Sequence, residues 1–156
     1  MEQTSQQQGG LHAIQDKGGL STLEHLSPLQ IIEKDIEKFK LDLDPYKAYA
    51  ALLKMTQQPN FRLVRANDTL VLVDNHNDGT GDAMVFTADK PQAFVKTLKH
   101  LNKAFRIGGF HEMTFTSTGI AIEPLMKKAG LKYKASDIKV KSGDKVLNGK
   151  RITVFE

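Results

Sequence analysis

The sequence predicts a mixed α+β domain behind an extended N-terminal arm. Its elements run helix, helix, three antiparallel strands, helix, strand, helix, strand, strand. Three observations predict this order. Two Pro-led helix starts open the domain, at Ser27-Pro28 and Asp44-Pro45. The apolar period then changes from helical to two after Gln57-Gln58-Pro59-Asn60. Finally, Gly108-Gly109 and Gly130 close two later helices and hand the chain back to strands.

Composition sets the outer bounds. The 156 residues suit a single domain, and 40% hydrophobic with 26% charged residues supports a packed core and excludes wholesale disorder. No apolar run approaches the length of a membrane-spanning helix, and the polar, Gln-rich Met1 to Gln8 is not read as an export leader. The absence of cysteine excludes a disulfide scaffold, thiolate catalysis and Cys-bound zinc.

Residues 1–26 read as a flexible or partner-ordered arm and 27–156 as one domain. The arm is rich in Gln and Gly, with Leu11, Ile14, Leu20 and Leu23 as scattered apolar residues. Alone it cannot bury enough surface to offset its ordering entropy, so those four are the expected anchors on a neighbouring chain. Ser27-Pro28-Leu29-Gln30 supplies an N-cap, a proline at the first helical position and a capping-box residue. Leu29, Ile32, Ile36 and Phe39 then recur at helical spacing to about Lys40. Asp44-Pro45 starts a second helix through about Met55, with Tyr46, Tyr49, Leu52 and Leu53 as its expected apolar side.

Phe61, Leu63, Leu70 and Leu72 flank Asn67-Asp68, which reads as a hairpin turn. A loop from Asn75 to Asp82 is expected before a third strand, Ala83 to Thr87. Asp89 with Pro91 is the expected start of a third helix whose core side is Phe94, Leu98, Leu101 and Phe105. Met113 to Thr116 is a strand, about Ile122 to Ala129 a short helix and Leu131 to Val140 a strand. Ser142 to Gly149 reads as a turn region and Arg151 to Phe155 as the last strand.

Charge divides the chain. Residues 1–89 carry 8 Lys/Arg against 13 Asp/Glu, whereas residues 90–156 carry 14 against 5. Lys96, Lys99, Lys103 and Arg106 form a stripe on the third helix, joined by Lys127 and Lys128. Such a face can be a solubilising surface, or it can meet an acidic partner or DNA phosphates without sequence specificity.

The Asn67-Asp68 hairpin, the strand Met84-Val85-Phe86-Thr87 feeding a helix, and the run from Ile122-Glu123-Pro124 to Ala129-Gly130-Leu131 together resemble the GNAT N-acetyltransferase family. The last run looks like that family's closing helix and Gly-Phe ending, with Leu131 in place of Phe. The resemblance spans roughly residues 27–156 and implies the GNAT fold. It also implies an acetyl-CoA site where the fourth strand splays and a Gly-rich turn presents amides to the pyrophosphate at a helix N-terminus. The equivalent stretch here, Thr87-Ala88-Asp89-Lys90-Pro91-Gln92, has no glycine. Pro91 removes a donor, and Asp89 as an N-cap would occupy the amides. If acetyl-CoA binds, Thr87, Ala88, Asp89, Lys90 and Gln92 are the residues expected to hold it.

Active family members carry an Asn early in the last helical segment and a Tyr that protonates the leaving thiolate. Those positions fall here on Gly119 and Met126, neither of which can donate that proton. The expectation is therefore no catalytic residue and no cofactor.

A narrower resemblance is to small GNAT-like proteins of short-tailed bacteriophages, some of them internal virion proteins. Met84-Val85-Phe86-Thr87-Ala88-Asp89 leading into a Lys-rich helix, then Leu125-Met126-Lys127-Lys128-Ala129-Gly130 and the final Thr153-Val154-Phe155, carries it. It implies a non-catalytic virion component, assembled in the host cytoplasm in several copies and docked on other virion subunits through its arm. The alternatives are an acetyl-CoA-dependent N-acetyltransferase with a degenerate cofactor loop and a non-specific DNA-binding accessory protein.

Two further clusters are weighed. Asp74 to Asp82 glances at a calcium loop, but its third ligand position is His76 and its twelfth is Val85, so it reads as a hairpin loop, with a weak Ca²⁺ site as the alternative. The five histidines form no close ligand pair, so no metal is expected, and His111-Glu112 reads as an exposed polar pair before a strand, with a general base as the sharper alternative.

Overall fold

The structure, a computed structural model, describes residues 25–118 and 121–156. The expected arm anchors Leu11, Ile14, Leu20 and Leu23 lie outside the described residues, as does Gly119. The elements follow the expected order: α1 (Pro28–Lys38), α2 (Pro45–Met55), β1 (Phe61–Ala66), β2 (Thr69–Asn75), β3 (Thr80–Thr87), α3 (Pro91–Ile107), β4 (Glu112–Thr118), α4 (Ile122–Lys128), β5 (Lys132–Ser142) and β6 (Lys145–Phe155).

Both halves of the capping box at α1 form: the Gln30 N–H donates to Ser27 Oγ (3.2 Å) and the Ser27 N–H to Gln30 Oε1 (2.8 Å). Asp44 caps α2 through the Tyr46 N–H at 2.9 Å. The apolar side of α2 differs from expectation. Leu52 is buried and Ala48, Tyr49 and Met55 pack beside it, but Tyr46 is 65% exposed and Leu53 45%. The helix meets the core through one narrow stripe, and the other two residues fall on its outer side.

The six strands form one sheet in the order β1-β2-β3-β4-β6-β5. All neighbours are antiparallel except β3 and β4, which are parallel and joined by α3. Two strands are longer than the sequence suggests. β3 begins at Thr80, because Asn75 pairs with Gly81, so the loop shrinks to residues 76–79. Gly81 is needed inside this strand: a Cβ there would lie 2.8 Å from the Asp74 carbonyl oxygen and 2.9 Å from the Phe110 ring. Likewise β5 and β6 pair from Lys132↔Phe155 to Ser142↔Lys145, so the expected turn region contracts to Gly143-Asp144, with Gly143 at φ 61°.

Helices cover both faces. Ile31, Ile32, Ile36 and Leu52 of α1 and α2 pack on Leu70, Leu72 and Phe86, joined by Leu26, the residue just before the domain boundary read from the sequence. On the opposite face α3 and α4 bring Phe94, Leu98, Ile122, Leu125 and Met126 onto Phe115, Ile152 and Val154. No helix of the described residues is long and apolar enough to cross a membrane.

Candidate functional site

The parallel ladder between β3 and β4 is short. It runs from Thr80↔Glu112 to Ala83↔Phe115 and stops, although β3 continues to Thr87 and β4 to Thr118. Beyond that point β3 keeps its partner β2 and β4 keeps β6, so the two halves of the sheet part into a wedge. Along the parted segments every second residue turns its N–H and C=O into the gap, where a ligand chain can take the place of the missing strand pairing. Met84, the first residue past the ladder, is 48% exposed.

The wedge opens toward the start of α3. The sequence places Asp89 there as the N-cap, and the structure corrects this. Lys90 is the N-cap and makes no side-chain cap hydrogen bond. Asp89 is 7% exposed and turned the other way: its carboxylate accepts from the Asp68 N–H (3.2 Å), Thr69 Oγ1 (2.8 Å) and Thr97 Oγ1 (2.8 Å). Thr69 Oγ1 also lies 2.7 Å from Thr87 Oγ1, and the Asp89 N–H donates to Thr87 Oγ1 at 3.0 Å. Asn67 Nδ2 donates to Thr97 Oγ1 at 2.8 Å. This buried network ties the β1–β2 turn, the end of β3 and α3 into one unit, so the segment from Thr87 to Lys90 is held from behind. The amides of Gln92 and Ala93 keep the open, partially positive helix end that attracts anions.

Beside that helix end lies a groove of about 190 Å³ lined by Pro91, Gln92, Val95, Leu125 and Lys128. It offers apolar walls, one cation and the free helix end together. Of the residues expected from the sequence to hold a cofactor, Gln92 lines it, while Lys90 is the N-cap just before Pro91. Thr87 and Asp89 face the network behind it instead.

Asp35 adds a second support. Its carboxyl, 5% exposed on α1, accepts the Thr87 N–H at 3.0 Å. Burial pushes Asp35 up to about 6 against the pull of the Thr87 hydrogen bond and Lys38.

The other expected site residues divide. Lys96, Lys99, Lys103, Lys127 and Lys128 are exposed, as a stripe requires. Arg106 leaves it, because its guanidinium donates to the His111 carbonyl at 2.9 Å and closes the turn from α3 into β4. His111 and Glu112 sit at the paired end of the wedge, away from its opening. Met126 is fully buried in the core, so the position expected to hold an acid holds packing instead. Replacing it by tyrosine would force a larger polar ring into that core. Thermal unfolding of Met126→Tyr should show a loss of about 2 kcal/mol.

One cluster escaped the sequence. Tyr133 Oη donates to Glu123 Oε1 (3.1 Å), and Lys150 Nζ bridges Glu123 (3.5 Å) and Asp137 (2.6 Å). It braces the start of α4 against β5 and β6. The Tyr133 hydroxyl is engaged with Glu123, and its strand β5 is separated from β4 by β6. The β5–β6 pairing sets Asp137 opposite Lys150, and α4 brings Glu123 beside them, so no local spacing signals the cluster.

Comparison with solved structures places this arrangement. A ribosomal-protein-alanine N-acetyltransferase from Brucella melitensis superposes with a TM-score of 0.57 at 13% identity, covering 85% of this chain and 98% of its own. A putative acetyltransferase from Acinetobacter baylyi gives 0.58 at 14% identity, covering 92% and 90%. A microcin C7 self-immunity acetyltransferase in complex with acetyl-CoA and AMP gives 0.57 at 9% identity, covering 88% of each chain. The fold is therefore GNAT-like, as the sequence resemblance implies. All three neighbours are named as acetyltransferases and none as a virion component. No protein-family model and no curated protein sequence matches the chain.

Proposed function

We propose that this protein binds acetyl-CoA in the wedge between β3 and β4 and acts as an N-acetyltransferase. The observation that carries the reading is the end of the ladder at Ala83↔Phe115, opening a gap toward an uncapped helix end. The pantetheine arm would lie in the gap and pair with the free backbone groups of β3. The pyrophosphate would meet the Gln92 and Ala93 amides, with Lys128 beside it. The objection drawn from Asp89 falls away, since its carboxylate is spent on the hairpin turn and α3.

The chemistry is acyl transfer. An amine nitrogen forms a bond to the thioester carbonyl carbon, the C–S bond breaks, and the amine proton passes by way of solvent to the thiolate. A thiolate is a competent leaving group near neutral pH. The buried Met126 supplies no acid, so the contribution of general acid catalysis, about 10²–10⁴-fold, is absent from that position. Slow turnover is the expected consequence.

The test is thermal unfolding with excess acetyl-CoA, followed by mass spectrometry of acetylated amines. A ligand at 100 times its dissociation constant adds about 2.7 kcal/mol, a rise of about 8 °C for a chain of this size. Lys128→Glu should weaken binding roughly tenfold by removing a phosphate partner. No shift with acetyl-CoA at millimolar concentration would sink the reading. A second reading, favoured by the buried Met126, is a thioester-binding protein without turnover; a thermal shift with no acetylated product would select it.

A further inference from the structure

Outside the wedge, the β2–β3 hairpin gathers three ligand-type atoms at one point. Oxygens of Asp74 and Asp82 and the imidazole of His76 all lie within 4.8 Å of one another. His76 Nε2 stands 3.2 Å from Asp82 Oδ2 and 3.8 Å from Asp74 Oδ2. Donor atoms sharing one ion at about 2.1 Å in a tetrahedron stand about 3.4 Å apart, so the spacing already suits a common cation.

Proton counting sharpens this. Thr80 has one hydroxyl proton and donates it to Asp78 Oδ1 at 2.7 Å. Toward His76 Nδ1, 3.1 Å away, that hydroxyl can only accept, so Nδ1 carries the ring proton. In the neutral ring Nε2 is then a bare lone pair facing two carboxylates. From outside the hairpin loop, Asn60 Nδ2 donates to Asp74 Oδ1 at 2.8 Å, which occupies that oxygen and leaves Oδ2 directed at the ring. With the ring neutral, three acceptors converge with no donor between them, and Thr80 and Asn60 orient the ring and the Asp74 carboxylate as second-sphere groups do in metal sites.

We propose that Asp74, His76 and Asp82 bind a divalent first-row cation, Zn²⁺ or Mn²⁺, through one imidazole nitrogen and two carboxylate oxygens. The ion clasps the turn end of the β2–β3 hairpin and leaves coordination positions free to solvent. The site is independent of acetyl-CoA binding, standing or falling by itself. The segment is the hairpin loop expected from the sequence, and the proposed ion adds a site to it in place of the weak Ca²⁺ alternative. The strand pairing of Asp74 with Asp82 is what brings the ends of that segment together.

Calorimetric titration of the full chain with Zn²⁺, and separately with Mn²⁺, tests it. One-to-one binding in the micromolar range is expected with at least one of the two ions, accompanied by a rise in melting temperature that EDTA reverses. His76→Gln and Asp82→Asn should each weaken binding roughly tenfold or more, while His100→Gln on the exposed face of α3 should leave it unchanged. Far-ultraviolet circular dichroism of the variants checks that the hairpin change leaves the fold intact. Absence of binding by either ion up to millimolar concentration would overturn the proposal. Unaltered binding by His76→Gln would overturn it equally, because another histidine would then be the ligand.

Discussion

Asp89→Ala is expected to cost about 4 kcal/mol, read as a fall of about 12 °C in the melting temperature. The reasoning is a count of donors. Asp89 accepts from the Asp68 N–H, Thr69 Oγ1 and Thr97 Oγ1 in a site only 7% exposed. Alanine leaves the Asp68 N–H and the Thr69 hydroxyl facing a void too small to hydrate them well, while the Thr97 hydroxyl keeps the Ala93 carbonyl at 3.1 Å. Each buried donor left without a partner costs about 1–3 kcal/mol, and partial relaxation keeps the total below the sum. Thr97→Val removes one donor while keeping shape, so it should cost less, about 1–2 kcal/mol. If Asp89 merely capped α3, Asp89→Ala would cost about 1 kcal/mol and Asp89→Ser would restore most of it. Failure of serine to restore stability is therefore the discriminating result. The same variant should weaken acetyl-CoA binding, because the Thr87–Lys90 segment is positioned by this network.

Asp89 also marks where sequence reasoning reached its limit. Asp-x-Pro at a helix start carries the local signature of an N-cap, and the helix does begin at Pro91. What redirects the carboxylate is a pair of threonines 20 residues before and 8 residues after it, brought together by strand pairing and one helical turn pair. Local patterns could not register that competition. Helix starts at Ser27-Pro28 and Asp44-Pro45 were legible because every interacting group lies within four residues. Arg106 shows the same limit from the other side: helical spacing correctly put it beside Lys103, yet carbonyls beyond the helix end claimed it.

The wedge was legible only through the family resemblance. A place where two strands stop pairing leaves no positive mark on either strand, since Met84-Val85-Phe86-Thr87 remains an ordinary strand pattern paired with β2. Strand limits failed for a related reason. Thr80-Gly81-Asp82 and Lys145 to Gly149 have turn-like composition, but the ladder extends through them because their partners across the hairpin are already aligned. Register propagates from neighbours and overrides weak local preference.

Asp35→Asn is expected to raise stability at neutral pH, and its effect should depend on pH with a defined sign. The Asp35 carboxyl is pushed from 3.8 up to about 6, chiefly by burial. A carboxyl raised in the folded state contributes fully below its unfolded value, where both states are protonated. That contribution is lost as pH climbs through about 6, because the unfolded chain ionises first and the folded one must then hold a buried charge. The interval corresponds to about 3 kcal/mol. Asparagine keeps an oxygen for the Thr87 N–H and cannot ionise. The stability difference between Asp35→Asn and the parent chain should therefore move in favour of the variant by about 3 kcal/mol between about pH 3 and about pH 8, most of it between about pH 4 and about pH 6. Urea unfolding of both proteins across that range measures it, and every other titrating group cancels in the difference. Parallel curves would show that Asp35 ionises in the fold as freely as in water, and the account of a carboxyl desolvated between α1 and the end of β3 would fail. A crossing in the predicted sense would also bear on the wedge, since the Thr87 N–H that Asp35 holds lies at the strand end from which the cofactor segment departs.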